Sequence, residues 1–314
     1  MFGITSFGSV PVPMEKWPPF YGGQMGVPGS DTAQGHRMGS TSLVYYVDKT
    51  HPNALDNNDG TDPRKPKLTI ASAIAASNAT IDWATFGGTK PYNWIYVGAG
   101  IYAEALTSLP HYCHVIGTGV LGTDGATEIH PAAGSALAGT QINARWSNIW
   151  FESETAVPVI DFDIANNVLL EGCAIVRGIA ALATMGIQTN NTSHLQVANC
   201  LFCSGVADLP IGLQFLGGAN KFAHCVRIVG NTIYAATTGI DIPANCTASG
   251  ALIAQNVIAR PTTGIQDLNG NSTCVDNWIT AGVDAINHAN SATRCIANHV
   301  LDNAVGAVEA AGTD

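Results

Sequence analysis

Charge is scarce in this chain: only 11% of its 314 residues are Asp, Glu, Lys or Arg, and the Leu/Ala/Glu/Lys-rich stretches that build helical bundles are missing. Basic residues are the scarcest part of that set. The formal charge is −10, and residues 146–314 carry 5 Lys+Arg against 13 Asp+Glu, an acidic body that argues against a nucleic-acid partner. No apolar run reaches the length needed to cross a bilayer, so no membrane span is expected. The opening "MFGITSFGSVPVPMEKWPPF" lacks the basic start and unbroken apolar stretch of a signal peptide, and the eight cysteines are therefore expected to be reduced and buried. What is abundant is Gly (34), Pro (15), Asn and Thr on a 46% hydrophobic background, which favours a turn-rich β protein with ample core.

The strongest internal signal is repetition. Residues 274–310 contain one line twice, with Asn277 over Asn298, Trp278 over His299, Ile279 over Val300 and Ala285 over Gly306 at a spacing of 21. Upstream the pattern loosens to Asn followed eight residues later by Gly, as in Asn231/Gly239 and Asn256/Gly264, then stretches to Asn199/Gly212 and Gly172/Gly186. Two residues after the first mark stand Ala174, Leu201, Ile233, Ile258, Ile279 and Val300; one after the second stand Ile187, Leu213, Ile240, Ile265, Ile286 and Ala307. The residues that follow the second column are Gln188, Gln214, Asp241, Gln266, Asn287 and Val308, polar in every copy but the last, the period-two flip of a strand. Units this short cannot bury their own apolar faces, so the copies must stack.

"N-x-I" followed eight residues on by "G-I" resembles the coil signature of right-handed parallel β-helices, over roughly residues 93–311. The segment "YYVDKTHPNALDNNDGTDPRKPKLTIASAIAAS", followed by "NWIYVGAGIYAEAL" and "HVIGTG", is similar to the entry region of pectate-lyase-like and pectin-methylesterase-like β-helices. The resemblance implies an all-β chain: a single-stranded right-handed parallel β-helix over 93–314, preceded at 43–92 by an entry strand, a loop and a short N-terminal capping helix near Lys67–Ala76. In such folds Asn at equivalent bends forms a ladder, which assigns a structural role to Asn199, Asn231, Asn256, Asn277 and Asn298, each tolerating left-handed backbone and bonding its neighbour. Residues 1–42 differ in kind. They are rich in Gly and Pro yet carry Phe2, Phe7, Trp17, Phe20 and Tyr21, the composition of an extended N-terminal arm that anchors or oligomerises, or of an unstructured tail.

Polysaccharide-cleaving β-helices work through carboxylates and a basic group on one outer face. The best match is "FESETAVPVIDFDIANN", where Glu152, Glu154, Asp161 and Asp163 alternate in pairs, with Glu171 and Arg177 a coil later; a solvated strand face explains the same pattern. Cys200-x-x-Cys203 has no second ligand pair, and "HYCH" places His111 and His114 on opposite strand faces, so neither a metal nor a cofactor is expected. Cys173, Cys200, Cys225, Cys274 and Cys295 recur beside the Asn marks and are expected to stack as small core residues.

An entry cap with a β-helix, an aromatic arm and no export signal are together similar to bacteriophage virion proteins. The resemblance implies a non-enzymatic structural protein (a capsid decoration, head fibre or tail-associated β-helix) located in the virion and assembled in the host cytoplasm. Its partners would be further copies of itself, as a homotrimer, and a major capsid or tail protein, with a host surface glycan as a further candidate. The alternatives are a polysaccharide-binding or polysaccharide-cleaving β-helix (lyase or hydrolase) such as a small tailspike, and a surface adhesin.

Overall fold

A computed structural model describes residues 42–81, 91–120, 125–178, 183–204, 208–218, 221–269, 271–288 and 293–301. The proposed arm residues Phe2, Phe7, Trp17, Phe20 and Tyr21 lie outside these. Every pairing between strands of the described residues is parallel and joins a strand to its counterpart in the adjacent coil, so the chain is a parallel β-helix.

Three inward columns form the core. One runs Tyr45, Ile95, Val115, Trp146, Leu170, Val197, Ile228, Ile253, Cys274, Cys295. A second runs Tyr102, Ile129, Phe151, Ile175, Phe202, Ile233, Ile258, Ile279, Val300. The third runs Leu137, Ile160, Ile187, Leu213, Ile240, Ile265, Ile286. Each side chain packs against the apolar side chains above and below it, and all three columns belong to one continuous apolar cluster.

The bends between columns divide two tasks between adjacent residues. Asn231, Asn256, Asn277 and Asn298 form a file in which each Nδ2 donates to Oδ1 of the next, at 3.0, 2.9 and 2.9 Å. Each of these Nδ2 groups also donates to a backbone carbonyl of the previous coil, at 2.9–3.0 Å: Val197, Ile228, Ile253 and Cys274 in turn. The left-handed backbone belongs to the preceding residue: Asn148, Gly172, Asn199, Gly230, Gln255, Asp276 and Ala297 all have φ between 51° and 69°.

Asn199 is therefore corrected from rung to bend. It aligns with Gly230, and the rung of its coil is Cys200, whose backbone N–H donates to Asn231 Oδ1 at 2.8 Å. Cys173 holds the same place one coil earlier, and the thiols of Cys173 and Cys200 reach the carbonyls of Trp146 and Leu170 as the Asn amides do downstream. The expected inward residues Ala174 and Leu201 are likewise out of phase by one; they align with the outward Thr232, and Ile175 and Phe202 take the core positions. Of the expected stacked cysteines, Cys225 is instead exposed, with φ 51°, in a second left-handed file with Tyr112, Asn143, Asn167, His194 and Gly250.

The entry helix spans Ile70–Ala79, three residues later than the sequence suggested at its start. Lys67 bridges to Val47 and is held to the first strand through the bonds between its backbone and Tyr46 and Asp48, so the helix begins only after Thr69, whose hydroxyl accepts from Ser72 N. Glu104 caps the same end: its two carboxylate oxygens accept from the N–H groups of Ile70 and Ala71 at 2.9 and 2.8 Å.

Candidate functional site

The outward face of the second column carries the densest group of ionisable side chains. Thr127–Ile129 pairs with Trp150–Ser153 so that Ile129 meets Phe151; Glu128 therefore stands over Trp150, and the next outward residue, His130, stands over Glu152. Period-two alternation sends Glu128 and His130 to one side, and Trp150 and Glu152 to the same side one coil on.

His130 is the centre of the group. Its Nδ1 lies 3.0 Å from Glu128 Oε1, while Nε2 faces Glu154 Oε1 at 3.6 Å and Glu152 Oε1 at 3.8 Å. Glu152 is only 8% exposed, and its Oε2 accepts from the Trp150 indole N–H at 2.8 Å. Burial pushes its carboxyl above the usual carboxylate range; the indole bond and His130 oppose that shift, and Glu128 and Glu154 add to it. Glu154 follows the strand and lies over Gly178, where any Cβ would overlap its carboxylate.

The other sequence candidates do not join this group. Asp161 and Asp163 lie in Pro158–Glu171, on the file of the third column, and each is engaged by an amide one coil on: Gln188 Nε2 donates to Asp161 and Asn190 Nδ2 to Asp163, both at 3.1 Å. The four carboxylates expected along one coil are thus divided between two ladders. Arg177 ends the strand after Glu152 and donates from Nη1 to the Asp208 carbonyl at 2.7 Å; Glu171 pairs with Arg145. Asp241 accepts from Gln214 Nε2 at 2.7 Å in the same amide file as Asp161.

The cysteines have the chemistry of packing residues. Burial holds Cys113 up at about 12 and pushes Cys203 above the ordinary thiol range, and Cys200 sits in the core. His114 is buried against Ser147 Oγ at 2.8 Å, with burial holding its imidazole well below the usual range.

A second feature of the same outward face lies several coils further on. Val257, Trp278 and His299 succeed one another in one file, with Ala259, Thr280 and Leu301 beside them. Val257 is 43%, Trp278 47% and Leu301 44% exposed, and the Trp278 and His299 rings lie 5.6 Å apart. Tyr234, at the head of the neighbouring file, carries the Arg260 guanidinium over its ring at 5.4 Å, and Arg260 also pairs with Asp208 at 3.3 Å.

Sequence reasoning found Glu152 and Glu154 but missed Glu128 and His130. The available signal was "TEIH" above "IWFE" at a spacing of 22, the same outward alternation in consecutive coils. No protein-family model and no curated protein matches the sequence. Among solved structures the chain is similar to a rhamnogalacturonan lyase, at 10% identity over 84% of this chain and 88% of that chain, with a TM-score of 0.38; a likeness this distant carries nothing about chemistry.

Proposed function

We propose that this chain is a non-enzymatic structural protein of a bacteriophage virion, a capsid-decorating, head-fibre or tail-associated β-helix. In this reading it associates as a homotrimer and is anchored to a major capsid or tail protein through residues 1–42. The observation that carries the reading is the exposed apolar file Val257–Trp278 with Leu301 beside it, joined by Ile296 at 52% exposure on the adjoining ladder of the same final coils. Monomers keep such side chains scattered; four of them gathered on the final coils offer another copy of the chain, presenting the same group, a surface to cover. The rest of the repeat supports a scaffold role, because the Asn file spends its hydrogen-bonding groups on its neighbours and leaves none for a ligand.

A polysaccharide-binding or polysaccharide-cleaving β-helix is the second reading. It is favoured by Glu152 and Glu154 standing beside His130 on one outer face, residue types that acid–base cleavage of glycans uses. Incubation with pectins, alginates and capsular polysaccharides separates the two. The structural reading expects no unsaturated or reducing ends above background; release that Glu152→Gln or Glu154→Gln abolishes in a folded protein would establish the second.

A further inference from the structure

We propose that His130, Glu152 and Glu154 bind one divalent first-row transition-metal ion on the outer face of the β-helix, with Glu128 orienting the imidazole. The inference does not depend on either reading above.

Three observations converge on it. The first is spacing: ligand atoms of Glu128, His130 and Glu152 lie within 4.8 Å of one another, and His130 Nε2 stands 3.6 and 3.8 Å from the nearest oxygens of Glu154 and Glu152. These separations are too long for hydrogen bonds and close to those between ligands around one ion, about 3.4 Å for tetrahedral bonds of roughly 2.1 Å. A contraction of a few tenths of an ångström by side chains would close the site.

The second is the buried Glu152 carboxylate. Its Oε2 is satisfied by the Trp150 indole, whereas Oε1 points at His130 and, among the described residues, receives no hydrogen bond. Three carboxylates, Glu128, Glu152 and Glu154, thus stand around one imidazole, an excess of negative charge at a largely buried side chain that a cation would relieve. The third is the support around these groups. Glu128 holds Nδ1 at 3.0 Å, which leaves Nε2 free to ligate, the carboxylate–histidine arrangement that fixes a metal-binding imidazole. Gly178 supplies the space in which the Glu154 carboxylate lies.

The donor set of one imidazole and two carboxylates selects the class of ion. Carboxylates alone would suit calcium or magnesium, while the imidazole favours zinc, cobalt, nickel or manganese, with water completing the sphere.

Cobalt(II) titration of the full-length chain under reducing conditions, followed by visible absorption and calorimetry, tests this. One ion per chain is expected, with d–d bands and no sulfur-to-cobalt charge-transfer band, and with calcium failing to compete. His130→Gln and Glu154→Gln should each weaken binding by at least about tenfold and Glu128→Gln by about 10–100-fold. Gly178→Ala replaces no ligand, but its Cβ displaces the Glu154 carboxylate, the far end of a flexible side chain, so the fold should persist while the affinity falls. Absence of cobalt binding would overturn the proposal. So would a thiolate band, or affinity unchanged in folded Gly178→Ala and Glu154→Gln.

Discussion

Asn256 donates from Nδ2 to Asn277 Oδ1 at 2.9 Å, and through its own Oδ1 it accepts both the side-chain amide and the backbone N–H of Asn231 at 3.0 Å. With its bond to the Ile228 carbonyl, one buried amide thereby ties together the coil that carries it and the coils on either side. Asn256→Ala should cost about 1–3 kcal/mol, because it leaves buried donors and acceptors unpaired in adjoining coils. Asn298, half-buried at the last described rung, bonds among the described residues with the preceding coil alone, so Asn298→Ala should cost visibly less. Chemical denaturation of both variants measures the difference, and equal losses would count against a file that cooperates along its length.

The glycine file makes a sharper prediction. A Cβ at Gly239 would stand 2.5 Å from both the Gly264 carbonyl oxygen and Ile258 Cγ2, and neither backbone nor stacked core can retreat. Gly239→Ala should therefore destabilise by roughly 1–3 kcal/mol or more. Gly282, where the nearest atom to such a Cβ is 3.9 Å away, is the control, and Gly282→Ala should melt within a degree or two of the parent.

Asp241 interrupts a run of amides, Gln188, Gln214 and Gln266, in the file that Asp161 heads. Gln214 satisfies its Oδ2, but Oδ1 is buried without a partner, and burial raises its carboxyl above the ordinary value, with the Gln214 bond opposing the shift. A carboxyl raised on folding contributes most below its unfolded pKa, and that contribution is lost as pH climbs through the folded value. Asp241→Asn should thus raise the melting temperature at neutral pH by about 1–3 °C, with the advantage shrinking to nothing in acid. Paired thermal melts across pH 3–7 check the sign; an advantage that grows toward acid would reverse the assignment.

The repeated line was legible wherever Asn and Gly keep their interval of eight, although the coils themselves differ in length by up to four residues. Ile233, Ile258, Ile279 and Val300 fall in one column both in the sequence and in the ladders, because no insertion intervenes between the mark and the core residue. One coil upstream the reading slipped by a residue. Asn199 looks like a rung because Asn suits both jobs, side-chain laddering and left-handed backbone, and only the register with Gly230 separates them. His130 was missed for another reason: its coil carries neither mark, and its partners are assembled by the Ile129–Phe151 pairing, a relationship that shows only when "TEIH" and "IWFE" of consecutive coils are set side by side.

The central claim, that the final coils exist to be covered by other copies of the chain, is tested most directly by multi-angle light scattering of the full-length protein beside Trp278→Glu. Trp278 points outward and contributes nothing to the core, so the variant should keep its fold and its Asn file. The account predicts a trimer for the parent and a folded monomer for the variant. A parent that is monomeric at all concentrations, or a Trp278→Glu protein that still forms trimers, would contradict it.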